Sequence, residues 1–158
     1  MGIDYHQFKE CIIGPSLRSI DMWCHASEEL LLGTVAQESL MGTYLQQIRG
    51  PALGVYQIEP RTHEDLWINY IDHRQTLKLK INRVCPLATV NVNDDLLVFD
   101  LRYATIIARL IYYRRPEPLP AHGDLLAQAA YWKQHYNTPL GKGTQSGYIS
   151  NATKVGLG

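Results

Sequence analysis

The chain has 158 residues, 46% of them hydrophobic and 19% charged. That balance suits one folded domain, residues 1–158, around a single core, and excludes a disordered chain. Fifteen Lys and Arg offset fifteen Asp and Glu, so no global basic field points to a nucleic-acid partner, and Arg114-Arg115 reads as a solvated face.

Taken in chain order, the opening "MGIDYHQFKE" lacks the basic and apolar regions of a signal peptide, so any export relies on other machinery. No stretch reaches the run of about 18 apolar residues needed for a membrane span. Apolar spacing predicts a helix over residues 3–13, ended by Gly14-Pro15, and a short second helix through residue 22. Ser27 followed by Glu28-Glu29 predicts an N-cap and an acidic first turn for a helix through residue 38, with Leu31, Leu32 and Val35 buried.

Residues 40–58, with Gly42, Gly50-Pro51 and Gly54, read as a loop holding at most a short extended piece. "THEDLWINYI" and residues 74–84 predict two more helices. "CPLATVNVN" predicts a break in which Val90 and Val92 form a short strand. Asn93 or Asp94 is the expected cap of a long helix through residue 113, with Leu97, Leu101, Ala104, Ala108 and Ile111 on one face. A Pro-rich connector, "RRPEPLP", precedes a helix over 124–135, and the tail predicts one short helix that then frays. The fold class is all-α or α-dominated.

Cys11, Cys24 and Cys85 are odd in number and lack C-x-x-C spacing. No zinc knuckle or disulfide framework is legible, and small core residues are the expectation. The six histidines are scattered, with no His-x-x-x-His pair, so neither metal nor cofactor is implied.

The stretch "LLLGTVAQES" ends a buried helix on Glu38, although helix C-termini favour cations. The helix end and apolar neighbours would both raise the pKa of such an acid, and a carboxyl that stays neutral near pH 7 can donate a proton to a glycosidic oxygen. The alternative is a surface glutamate at a frayed end.

Together with "AQES", the segment "GPALGVYQIEPRTHEDLW" resembles the lysozyme-like superfamily of lytic transglycosylases and goose-type lysozymes. In that superfamily a Glu-Ser pair ends a core helix, followed by Gly-Leu-Met-Gln and then Thr or Ser-His. Here the matching residues are Glu38-Ser39, Gly54-Val55-Tyr56-Gln57 and Thr62-His63. More weakly, "DLLAQAAYW" resembles the segment that carries a tyrosine beside the catalytic acid; Tyr131 is the nearer match and Tyr136-Asn137 the alternative. "YYRRPEPLP" and "YWKQHYNTPLGKGT" also resemble small phage-encoded members, so the similarity runs over residues 27–144.

The resemblance implies a lysozyme-like domain that cleaves the β-1,4 bond between N-acetylmuramic acid and N-acetylglucosamine in peptidoglycan glycan strands. It implies Glu38 as general acid and no metal or cofactor. Gly54 would let backbone approach a sugar, and Tyr56 and Gln57 would line the cleft. Tyr131, Trp132 and Tyr136 would offer flat faces to sugar rings; core packing is the alternative for each. Ser39 either touches substrate or supports backbone. Lytic transglycosylases commonly carry Met-Pro after the Gln, whereas this chain has Ile58-Glu59. Glu59 is therefore either a second catalytic acid, as in goose-type lysozymes, or a cap of the next helix. The implied location is a phage virion or tail, or delivery to the host periplasm and cell wall. The rival expectation is a non-catalytic virion protein that keeps the fold and binds tail or other virion proteins. Charge balance leans that way, because an enzyme attacking an anionic wall profits from positive charge.

Overall fold

The computed structural model describes residues 2–158, and almost all of their regular structure is helical. Ten α-helices follow in chain order: α1 (Tyr5–Phe8), α2 (Gly14–Ser19), α3 (His25–Ser39), α4 (Pro60–Leu66), α5 (Gln75–Val84), α6 (Pro86–Val90), α7 (Leu96–Phe99), α8 (Leu101–Tyr113), α9 (Leu125–Trp132) and α10 (Gln145–Lys154). Wider π-helical turns extend α1, α4 and α9 over Lys9–Ile13, Trp67–Ile71 and Lys133–Asn137.

Helix α3 is the axis of the domain. Leu30, Leu31, Leu32, Gly33, Thr34, Val35 and Ala36 are consecutive and all buried. That leaves the helix without a solvent face along this stretch, as expected of a central helix. Helices α8, α9 and α10 pack around it. Contact with α10 is close because position 33 is glycine: a Cβ there would run into the Tyr148 ring, whose hydroxyl donates to the Leu30 carbonyl at 3.3 Å. Asn151 of α10 donates to Gln37 at 2.9 Å, and Ala152 and Val155 are buried. The C-terminal segment is therefore packed onto α3 through residue 155, not frayed.

Several boundaries differ from the sequence expectation. Gly14-Pro15 does not end the first helix. The π-helical turn over Lys9–Ile13 instead sends the Gly14 N–H to the Lys9 carbonyl, and this widened turn admits a proline that lacks its own N–H. Ser27 is not the N-cap of α3. Cys24 takes that position, its sulfur accepting from the Ser27 N–H while the Ser27 hydroxyl accepts from the Cys24 N–H. Residues 86–90 are helical and Val90 is 84% exposed, so the expected strand is absent: Pro86 starts a helix well. The long helix expected to residue 113 breaks at Asp100, whose carboxylate accepts from the N–H groups of Arg102 and Tyr103 and so caps α8 separately. Cys85 is buried, but Cys11 and Cys24 are exposed.

Residues 46–58 form the sole extended piece among the described residues. Two isolated antiparallel bridges pair Gln46 with Leu53 and Leu53 with Ile58, making a small wing against the end of α3. No described helix is long and apolar enough to cross a membrane.

Candidate active site

Glu38 lies in the last turn of α3, and the chain stops being helical directly behind it. Leu40 and Met41 take left-handed backbone, with φ of 50° and 57°, and the Ser39 hydroxyl accepts from the Gly42 N–H at 2.8 Å while donating to Val35. Ser39 is fully buried and serves the helix end rather than the cleft.

Beside Glu38 opens a cleft of about 1170 Å³. One wall comes from the wing and the start of α4, with Tyr44, Ile48, Gln57, Glu59 and Arg61; the facing wall comes from α9 and the loop after it, with Trp132, Tyr136, Asn137 and Leu140. Lys133 ties that second wall together, donating to the Asn137 side chain and the Gly141 carbonyl, both at 2.7 Å.

The Glu38 carboxyl is half-buried and its pKa is raised from 4.5 to about 7, with burial as the cause. Opposing that shift, the Trp132 Nε1–H donates to Glu38 Oε1 at 2.9 Å. Desolvation wins, because one neutral donor replaces only part of the hydration that a carboxylate loses. Near pH 7 the group therefore exists in comparable amounts as acid and carboxylate, and it can give a proton and take one back.

Trp132 is 0% exposed. Its ring packs against that of Tyr148, with centroids 5.3 Å apart and planes 31° from parallel, so it holds the acid in place and offers no open face to a sugar. Tyr131 does not line the cleft: its ring stacks on Tyr112 at 5.6 Å and its hydroxyl donates to the Glu117 carbonyl. Tyr136 does line it. That residue stacks on Tyr112 at 5.1 Å and donates to the Tyr56 carbonyl at 2.7 Å, tying the α9 wall to the turn over residues 54–57. Burial, then the nearby charge of Glu38, holds the Tyr136 phenol well above the usual tyrosine range. Of the two placements read from sequence, Tyr136-Asn137 is the one beside the acid.

The turn over residues 54–57 divides into scaffold and site. Tyr56 is fully buried, with its hydroxyl 3.1 Å from that of Thr105, and is a core residue, not a cleft residue. Gly54, at φ +74°, is needed because a Cβ would strike the Leu97 carbonyl oxygen; the close approach is to α7, not to a ligand. Gln57 reaches the cleft. Its backbone is left-handed at φ 48°, and its side chain donates to the Gly54 carbonyl at 2.9 Å. A non-glycine residue in that region costs roughly 1–2 kcal/mol, offset here by the fixed turn.

Glu59 occupies the N-cap position of α4 but makes no capping hydrogen bond; its exposed side chain faces the cleft. His63 points away. It is buried, with Nδ1 2.7 Å from Asp94 and Nε2 2.6 Å from the Tyr103 hydroxyl, and burial lowers its pKa.

Sequence reasoning missed Arg114, Asp65 and Arg61. Arg114 is not a free solvated cation: it lines the cleft and pairs with Asp65 of α4 at 2.6 Å. Its partner is 49 residues away, so nothing local in "RRPEP" could signal the pair. Arg61 lies one helical turn before Asp65 on the same wall. Among the described residues, no group of three or more His, Cys, Asp or Glu side chains is placed to hold a metal.

No family model, curated protein or solved structure matches this chain.

Proposed function

We propose that the protein is a peptidoglycan-cleaving glycosidase with a lysozyme-like domain, acting on the MurNAc–GlcNAc β-1,4 bond. The observation that carries this reading is a half-buried carboxyl, its pKa raised by burial to about 7, that lines a cleft of about 1170 Å³. A helix-end acid, the turn carrying Gln57 and a tyrosine beside the acid are parts the lysozyme-like resemblance implies, and Glu38, Gln57 and Tyr136 line one cleft.

In this reading Glu38 protonates the glycosidic oxygen, so the bond to the leaving sugar breaks as that oxygen gains its proton. The Trp132 N–H then stabilises the carboxylate left behind. Gln57 and Asn137 present amide groups to acetamido substituents, and Tyr44 and Tyr136 give the sugar rings an apolar edge. Two completions follow. Glu59, on the same cleft, activates a water for hydrolysis, or Glu38 takes a proton from the substrate's own 6-hydroxyl, which attacks and leaves an anhydro sugar. Action at the wall fits a phage tail or virion lysin, or an enzyme delivered to the host periplasm.

A second reading is favoured by one observation. Gly54 and Tyr56 are accounted for by packing alone, so part of the motif serves the fold and would persist in a non-catalytic virion protein bound to other tail components. Zymography on purified peptidoglycan decides between them. Clearing by the wild type and none by Glu38→Gln supports catalysis; equal failure of both supports the structural role. Mass spectrometry of released fragments assigns the chemistry, with anhydro ends for a transglycosylase and reducing ends for a hydrolase. Glu59→Gln damages a hydrolase far more than a transglycosylase.

A further inference from the structure

Away from the cleft, on the opposite side of α8, lies a charge that the fold does not answer. Arg109 is 6% exposed. Its Nε is sealed from solvent and has no hydrogen-bond acceptor, and no carboxylate among the described residues lies within ion-pair distance. The groups that act on it electrostatically are the Cys24 thiol and the phenols of Tyr131, Tyr113 and Tyr70, and no Asp or Glu is among them. Tyr113 meets the guanidinium with its ring face at 5.0 Å. That contact offsets part of the desolvation, but a ring quadrupole does not replace a counter-ion.

Buried arginines are ordinarily paired, since an uncompensated buried cation is strongly destabilising. The arginine lies just beneath the surface and not deep in the core: Tyr113 and Cys24 are exposed and Tyr70 is half-buried. On the rim stands a second cation. Arg74 lies 3.6 Å over the Tyr70 ring and donates to the Tyr70 carbonyl, and the Tyr70 phenol lies near enough to act on Arg109 electrostatically.

We propose that Arg109 forms the floor of an oxyanion-binding site, with Tyr70 and Tyr113 as walls and Arg74 on the rim, taking a carboxylate or phosphate group from outside the chain. The planar guanidinium presents paired N–H donors to two oxygens of such a group. The anion supplies the missing counter-charge. This site does not depend on the proposed glycosidase activity.

Titration of the folded protein with inorganic phosphate and with acetate, at ionic strength held constant by chloride, tests the proposal. Expected is a saturable rise in Tm of several degrees with at least one of the two anions. The more effective anion identifies the source as a phosphate or a carboxylate. Arg109→Met, which removes the charge and keeps most of the volume, should abolish that rise while leaving the anion-free protein at least as stable as the wild type. Arg74→Gln, at an exposed position with little bearing on folding, should weaken binding at least threefold. It decides the matter if the Arg109 variant does not fold. A wild type that responds to neither anion beyond the chloride control overturns the proposal. So does undiminished binding by a folded Arg109→Met or, where only Arg74→Gln can be measured, by that variant.

Discussion

Replacing Glu38 by glutamine should stabilise the protein, and by an amount that depends on pH. The folded chain holds the Glu38 proton up to about pH 7, whereas an ordinary glutamate releases it near 4.5. Between those values the unfolded state binds fewer protons than the folded state, so rising pH erodes stability. The penalty is absent well below 4.5, grows from there to about 7, and is constant above. Its full size is about 3 kcal/mol at 1.36 kcal/mol per pH step, an upper figure because the side chain keeps some solvent. Glutamine never ionises, and its amide oxygen can still accept from Trp132. Glu38→Gln should therefore match the wild type near pH 4 and exceed it above pH 8, by roughly 2–4 °C in Tm for each kcal/mol in a domain of this size. Urea or thermal unfolding of both proteins from pH 4 to 9 reads this directly, because every other titrating group cancels in the difference. A difference that stays flat across that range refutes the buried, neutral acid.

Further expectations rest on the same geometry. Trp132→Phe removes the one donor that favours the carboxylate, so the alkaline limb of the pH–rate profile should move upward from about 7; an unmoved limb separates Trp132 from the acid. Tyr56→Phe should cost about 1 kcal/mol in unfolding experiments through the lost Thr105 contact and leave KM for glycan unchanged, whereas a raised KM would return Tyr56 to the cleft. Gly54→Ala meets both a left-handed backbone and the Leu97 carbonyl; it should lose more than about 2 kcal/mol of stability, measured by urea unfolding. Acidification below pH 6.5 should weaken folding through His63, because burial lowers its pKa and the unfolded chain takes up that proton first. His63→Gln should flatten this part of the stability–pH curve.

Glu38 stood out in the sequence because a carboxylate closing an apolar run conflicts with local preference, but that stretch alone left a surface glutamate open; its half-buried place on a cleft came from the structure. The helical class was legible for the same local reason, since period and caps are properties of neighbouring residues. What sequence could not apportion was the duty of each aromatic. Tyr56, Tyr131, Trp132 and Tyr136 look alike as flat apolar side chains with polar tips, and only the packing around Tyr112 and Tyr148 decides which reach the cleft. Arg114 and Asp65 were invisible because their pairing spans 49 residues. The helix breaks were misread where a side chain overrode the pattern: Asp100 capped α8 within an unbroken apolar face, and a π-helical turn carried the chain past Pro15.

The protonation of Glu38 itself can be followed by carbon NMR of protein labelled at glutamate side-chain carboxyls, with Glu38→Gln assigning the resonance. One carboxyl should titrate with a midpoint near 7, and its signal should vanish in the variant. A spectrum in which every glutamate titrates between about 4 and 5 contradicts the neutral acid, and with it the catalytic role built on that group.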